Sequence, residues 1–516
     1  MELSDELQLF FRFLLPEEAP VTWAHLSLLS LGSVLIYYLL RIPYLLYFHP
    51  LSSFRGPFWA AISTWWLYSV CRTGHAEQVF EQLHRKYSNL PDTRGLRIGP
   101  NEIHISDSTL YHNLYSQDHS FAKEQSFYDT FGTPHSVFVE TDRGLHRQRR
   151  KLLNNFFSKT SIRNMQNILY EKVSTLSDIM SNLGDEESVN IYNAVRCMTV
   201  DIISELAFGH SFNLLGDAKD GAFVASYLGA FDMASDYIWE MMFFPSLRRV
   251  LNMIPPSLMT ASPFTRLFQS IEDTVTIFRE MKASGNSCGH DIMFDLLSGL
   301  GDRELVAEAG DILVAGSDTT ATTLAVAIYQ LISHPEAYDA LKTEIRPAML
   351  KTAEDYDLKS IEQLPYLTAC VKESLRIASA VPSRLPRVVP PSQSKASSLI
   401  VDGKVIPPGS VVSISSYTVH GDQEIWGADA QEFNPSRWLG PRGKQLEKYL
   451  VTFSKGARSC LGINLAHAEL TIALAMFTSR FDMVNDGTTK DEDHEVIDSF
   501  TAGFRGTGPR VKVSPV

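Results

Sequence analysis

Cysteine is scarce in this chain. Its 516 residues include five, Cys71, Cys197, Cys288, Cys370 and Cys460, widely spaced and without a CxxC pair. An odd number at such spacings argues against a disulfide framework, and the missing CxxC pairs argue against a zinc site. A reducing compartment suits such a chain. Basic charge is also short. There are 46 Lys and Arg against 59 Asp and Glu, a net charge of −13, and a nucleic-acid partner would demand a basic surface. No internal repeat and no interdomain linker is visible. The one biased stretch, PPSQSKASS, reads as a loop. What the chain has in quantity is apolar: 44% of residues are hydrophobic and 11% aromatic, ample for a large core. Length alone would divide it into two or three domains.

Charge is missing most conspicuously near the start. Val21 to Leu40 reads VTWAHLSLLSLGSVLIYYLL, 20 residues without Asp, Glu, Lys or Arg. At about 1.5 Å per residue it spans a hydrocarbon layer of about 30 Å. Glu2, Asp5, Glu6, Glu17 and Glu18 precede it with one basic residue, Arg12, while Arg41 and Arg55 follow. That asymmetry places the C-terminal side in the cytosol. A cleaved signal would need a basic start and a small-residue cleavage site, and neither is evident. A buried core helix is the competing reading. The expected layout is a lumenal segment 1–20, a transmembrane anchor 21–40, a proline-containing hinge 41–57 ending in HPLSSFRGP, and a folded domain 58–516.

Downstream the hydrophobic spacing is mainly helical. Ala76 to Tyr87 is an amphipathic helix, and Leu96–Ile98 and Glu102–Ile105 are short strands around GPN. Arg143 to Met281 is mostly helical, with breaks at Gly184, Gly209 and Pro255-Pro256. Arg303 to Ser333 is one long helix without proline, followed by helices over Pro335–Met349 and Leu364–Ala378. LIVDGKVI, Leu399 to Ile406, predicts a hairpin about Asp-Gly. Val411–Ser415 is a further strand, and Leu461–Phe481 returns to helix.

The cysteine that calls for explanation is Cys460, in FSKGARSCLG, just before that last helix. The positive end of the helix dipole and the free N–H groups of Leu461 and Gly462 favour a thiolate. Gly456 permits a tight turn with positive φ. Gly462 lets a flat object approach, and Arg458 supplies a cation two residues from the sulfur. A flat, anionic, thiolate-ligated group meets these needs, and haem is such a group. A buried structural cysteine is the alternative for a lone Cys.

The motif FxxGxRxCxG, carried by Phe453, Gly456, Arg458, Cys460 and Gly462, resembles the haem loop of the cytochrome P-450 family. Other signatures follow in the family's order. AGSDTT, Ala315 to Thr320, resembles the oxygen-activating motif. Thr319 can bond the carbonyl of Ala315 and loosen the helix, Gly316 is expected to leave space for a small ligand, and Asp318 is a titratable neighbour for a proton relay. Glu373 and Arg376 in ESLR, with Arg437 in FNPSRW, resemble the family's structural Glu-Arg-Arg network. His146 and Arg150, four residues apart in HRQRRKLLNNFFS, and Arg387 in PSRLPRVVP match positions that meet the haem propionates. Ser383 stands where relatives often have glycine, which predicts a different pocket wall nearby.

The resemblance covers essentially the whole chain and implies one large, mainly α domain with small β-sheets, the cytochrome P-450 fold, behind an N-terminal transmembrane helix. It implies haem b ligated by Cys460, with Ala315 and Gly316 beside it, and monooxygenation of an apolar small molecule by O2. Only 56 residues follow Cys460, too few for a fused flavin domain. Electrons are therefore expected from a separate NADPH-cytochrome P-450 reductase, with cytochrome b5 as a second donor and Lys448, Lys455, Arg149 and Lys151 as docking charges. The implied location is the endoplasmic reticulum membrane, and NEIHISD and IPPGSVVS resemble enzymes of fungal secondary metabolism. Terpenoid, polyketide and alkaloid scaffolds are the expected substrate classes. The aromatic- and methionine-rich stretch Ala222 to Met259 reads equally as core and as pocket roof. Two other functions fit parts of the pattern: a haem-thiolate isomerase, dehydratase or peroxygenase needing no reductase, and a non-catalytic membrane-tethered haem or lipid binder.

Overall fold

The computed structural model describes residues 23–87, 93–116, 121–183, 187–218, 221–253, 263–285, 290–349, 357–391 and 398–516. The expected lumenal segment 1–20, the first two residues of the anchor, the breaks at Gly184 and Pro255-Pro256, Cys288 and most of PPSQSKASS lie outside the described residues.

Helix α1 (Trp23–Pro43) carries the apolar run and continues directly into a π-helical turn, Tyr44–Phe48. The stretch Leu26–Phe48 is 23 residues long, apolar enough to cross a membrane, and its apolar window is not buried in the protein. It is a candidate membrane span, and it ends eight residues later than the sequence reading placed it. The expected hinge 41–57 is not a free linker. Leu45, Leu51 and Phe54 are buried, Arg97 donates to the Leu45 carbonyl at 2.8 Å, and the Arg97 N–H bonds Arg55 O at 2.7 Å. Three buried apolar side chains and the Arg97 bonds dock the segment, so the packed body extends before residue 58.

The amphipathic helix α2 (Ala76–Tyr87) leads to strands β1 (Gly95–Gly99) and β2 (Glu102–Ile105), which pair antiparallel with a bulge at Arg97/Gly99. With β3 (Ala122–Lys123), β5 (Arg387–Val388) and β8 (Val411–Ser413) they form a sheet of order β1-β2-β8-β5-β3. A second sheet joins β4 (Ser188–Asn190), β9 (Phe481–Asn485) and β12 (Arg510–Pro515). The Asp-Gly hairpin forms between β6 (Ile400–Val401) and β7 (Lys404–Val405), with both turn residues at positive φ as a type I′ turn requires. Another hairpin, β10 (Val496–Ser499) and β11 (Thr501–Phe504), turns at Phe500.

The rest is helical: α3 (Arg143–Leu153), α4 (Ile191–Phe208), α5 (Ser226–Asp236), α6 (Asp302–Ser333), α7 (Pro365–Ala378) and α8 (Ile463–Arg480) organise the site. One hydrophobic cluster draws on α4, α6, α7 and α8 together, so the division into several domains suggested by length is not realised. Helix α6 runs through the middle. It starts where the Gly301 N–H is met by Glu304 at 3.2 Å and stops before Pro335. In the stretch Ala222 to Met259, Tyr227, Phe231 and Trp239 are buried as core, whereas Tyr237, Val250 and Met253 are exposed.

Candidate functional site

Cys460 closes a loop whose Phe453 carbonyl accepts the Cys460 N–H at 2.8 Å. Gly456 has φ +72°, and a Cβ there would lie 2.3 Å from the Tyr115 carbonyl. At Gly462 a Cβ would meet only the cysteine sulfur, at 3.9 Å, so the backbone beside the sulfur is open to a flat neighbour. Cys460 retains accessible surface, yet burial pushes its thiol pKa up, against the Gly462 N–H and the charge of Arg150.

The cations expected at this site come together. Arg150 donates to the Ser459 carbonyl at 2.6 Å. Arg387 donates to Tyr128 Oη at 2.8 Å and to two backbone carbonyls. Arg458 turns away from the sulfur to the carbonyls of Glu140, Thr141 and Asp142, so the cation felt by Cys460 is Arg150. His146 is buried, and burial with Arg458, Lys123 and Arg150 nearby lowers its pKa to about 3. Lys123, which the sequence reading passed over, joins them. It is buried, donates to the Phe138 carbonyl and sits over the Tyr128 and Phe138 rings, and burial plus Arg387, Arg458 and Arg150 push its pKa well down. Burial and Arg387 likewise lower Arg458 to about 10. Side chains of one sign crowded so closely call for an anionic guest. A planar dianionic haem fits this donor set: Cys460 could hold the iron, Gly462 could admit the ring, and Arg150, Arg387, Arg458, Lys123 and His146 could meet the carboxylates.

On helix α6, Ala315 is exposed and Thr319 partly so, while Leu313, Ser317, Asp318 and Thr320 are buried, so Ala315 and Thr319 form one accessible stripe on a central helix. Thr319 Oγ1 donates to the Ala315 carbonyl at 2.7 Å, the geometry its spacing predicts. Gly316 corrects the sequence reading. A Cβ there would lie 2.6 Å from Ile203 Cγ1, so on its Cβ side this glycine admits helix α4 and not a small ligand. Asp318 also differs from a freely turning relay. Arg196 of α4, 1% exposed, grips it at 2.8 Å and reaches Asp232 of α5 at 2.6 Å. The signal for Arg196 was present, a single arginine in the apolar run IYNAVRCMTV; none marked Lys123.

Behind the loop, Glu373, Arg376 and Arg437 form one buried network. Glu373 Oε1 is 2.7 Å from Arg376 and 2.9 Å from Arg437. Arg376 also donates to the carbonyls of His420, Ala430 and Glu432. His420, unmarked in sequence, accepts the Val451 N–H at 3.0 Å and bonds Ser379, tying the network to the cysteine loop. Ser383 lies 2.7 Å from both carboxylate oxygens of Asp498. Of the expected docking charges, Lys448 and Lys151 are exposed and Lys455 half-buried. Arg149 is instead paired with Glu304 at 2.7 Å and Glu308 at 3.3 Å, because α3 lies along the acidic first turns of α6.

Residues 55–502 match the sequence profile of the family described as Cytochrome P450. The chain is similar to the cytochrome P450 monooxygenase sdnE of Sordaria araneosa, 33% identical over 88% of this chain and 91% of the relative. It is also similar to macH of Penicillium terrestre, 31% identical over 93% and 96%, and to aneF of Aspergillus aculeatus, 29% identical over 90% and 96%, both likewise named cytochrome P450 monooxygenases. With an accessible cysteine just before α8, cations gathered about its loop, and a family match across most of its length, the chain belongs to the cytochrome P450 family and is a monooxygenase carrying a cysteine-ligated haem b, acting on a small molecule with O2 and a redox partner.

Proposed function

We propose that this enzyme oxidises an apolar terpenoid, polyketide or alkaloid scaffold in fungal secondary metabolism, anchored by its N-terminal helix in the endoplasmic reticulum membrane with the catalytic body in the cytosol. Its electrons come from a separate NADPH-cytochrome P-450 reductase, and cytochrome b5 is a further donor. The observation that carries the reading is the accessible Cys460 with Arg150, Arg387, Arg458, Lys123 and His146 gathered about its loop; the accessible stripe of α6, Ala315 and Thr319, is assigned to the same pocket. Cys460 would hold the haem iron through its sulfur, and Arg150, Arg387, Arg458, Lys123 and His146 would meet the propionates. Bound haem supplies oxygen activation and transfer of one oxygen atom to the substrate.

The chain's own residues manage protons and water. The bond from Thr319 to the Ala315 carbonyl loosens one turn of α6 and leaves the hydroxyl oxygen free to accept from a water. Asp318 delivers protons to that water only when its grip on Arg196 opens, and Asp232, 57% exposed, connects Arg196 to solvent. The test is Thr319→Ala with reductase and a turned-over substrate: NADPH consumption continues, peroxide rises and product per NADPH falls. Unchanged coupling would favour a peroxide-using or rearranging enzyme. Cys460→Ala should abolish the red-shifted Soret band of the reduced carbon monoxide complex, and retention of the band would remove Cys460 as the ligand.

A further inference from the structure

Helix α6 carries a third polar group on its pocket stripe. Asp311, Ala315 and Thr319 are spaced i, i+4 and i+8 and share one face. Asp311 keeps accessible surface, and its register with Ala315 and Thr319 sets that side on the pocket assigned above, where burial raises its carboxyl pKa to about 6. One carboxylate oxygen accepts from Thr133 Oγ1 at 2.8 Å and the other from Ser136 Oγ. A carboxylate offers about four acceptor positions, so two donors leave it half satisfied. Thr133 and Ser136 stand between Phe131 and Phe138, which pack with Phe500 from the β10–β11 turn at ring distances of 4.6 and 5.8 Å. The group is a single strong acceptor set beside an aromatic wall.

We propose that Asp311 is a specificity-determining residue that accepts a hydrogen bond from a hydroxyl group on the otherwise apolar substrate. A hydroxyl suits the site because both present partners, Thr133 and Ser136, are neutral hydroxyl donors, and a third O–H fills the acceptor position they leave open. A hydrogen bond to a charged acceptor discriminates strongly when its loss leaves a buried acceptor unpaired. The substrate then arrives already oxygenated, or carries an oxygen left by cyclisation.

This inference rests on the pocket assigned above, but its test needs no turnover, so it fails independently of the oxygenase reading, which the Thr319 coupling experiment decides. Resting holoenzyme is titrated with matched hydrocarbon and alcohol probes, decalin with decalol and androstane with androstanol, following the substrate-induced Soret shift. The wild-type enzyme binds the alcohol of a pair about ten- to a hundred-fold more tightly. Asp311→Ala loses that preference and keeps hydrocarbon affinity; if it fails to take up haem, the near-isosteric Asp311→Asn must show a reduced preference. The double variant Thr133→Val/Ser136→Ala frees the loop but keeps the carboxylate, and it retains the preference. No preference in the wild type, equal weakening of both probes by Asp311→Ala, or loss of preference in the loop variant alone would overturn the proposal and leave Asp311 as a latch for the 133–140 loop.

Discussion

Arg196 shows how much one residue can decide. Its guanidinium is buried among Asp318, Asp232 and the rings of Tyr192 and Phe231. Removing it strands Asp318, which burial already pushes toward the neutral form. Arg196→Met should cost about 3–5 kcal/mol, the range for breaking a buried ion pair. Adding Asp318→Asn should recover most of that loss, since removing both charges spares the uncompensated carboxylate. Thermal unfolding of the two single variants and the double variant gives the coupling directly, and additive losses would mean that the pair does not act as a unit. Asp318→Asn alone should slow turnover without changing haem content.

Between elements, the contact that sets the site is α4 against α6. Gly316 allows it, since a Cβ would fall 2.6 Å from Ile203 Cγ1 and 3.0 Å from Cδ1. Gly316→Ala should therefore force the helices apart and destabilise by about 1–3 kcal/mol, the usual cost of overpacking. Ile203→Val placed with it removes the Cδ1 clash and should restore part of the stability. A fully stable Gly316→Ala single variant would show that the two helices separate without cost. The same contact brings Arg196 within reach of Asp318, so the single variant should also alter product formed per NADPH.

At the scale of the molecule, the N-terminal segment and the buried titratable groups lead to two expectations. Deleting residues 1–42 should leave a folded, haem-binding body. Deleting 1–57 also removes Leu45, Leu51 and Phe54, all 5% exposed or less, at about 1.5–3 kcal/mol for each buried side chain. A lower melting temperature for the longer deletion alone would place the start of the folded body before residue 58. Stability should also peak in mildly acidic solution. His420 is held neutral, its pKa lowered by burial and Arg376 from 6.5 to about 3. As pH falls below about 6.5 the unfolded chain takes a proton that the folded one refuses, so stability is lost toward pH 3. Glu469 of α8 has the opposite sign. Burial raises its pKa from 4.5 to about 8, against the lowering effect of the Thr320 hydroxyl. Its contribution is complete below pH 4.5 and lost as pH rises to 8. Glu469→Gln should flatten the alkaline limb of melting temperature against pH and leave the acid limb in place.

Local pattern and local chemistry were enough for much of this. The bounds of α2, the long helix α6 and the Asp-Gly hairpin follow from spacing and turn residues, because neighbours along the chain set them. The cysteine loop was legible because a tight turn, a sulfur and a helix start lie within ten residues. The pairing of Glu373 with Arg376 was legible because three residues along a helix bring side chains together. What the sequence left undecided depends on approach between distant segments. Nothing near Lys123 announces that Arg387 and Arg458 will crowd it, nothing in AGSDTT says that Ile203 fills the space beside Gly316, and nothing in HPLSSFRGP says that Leu51 and Phe54 find a sheet. Arg149 read as a docking charge and became an ion pair for the same reason. Charge, burial and free volume at those places are set by which elements pack against each other, and only the assembled core of α4, α6, α7 and α8 decides that.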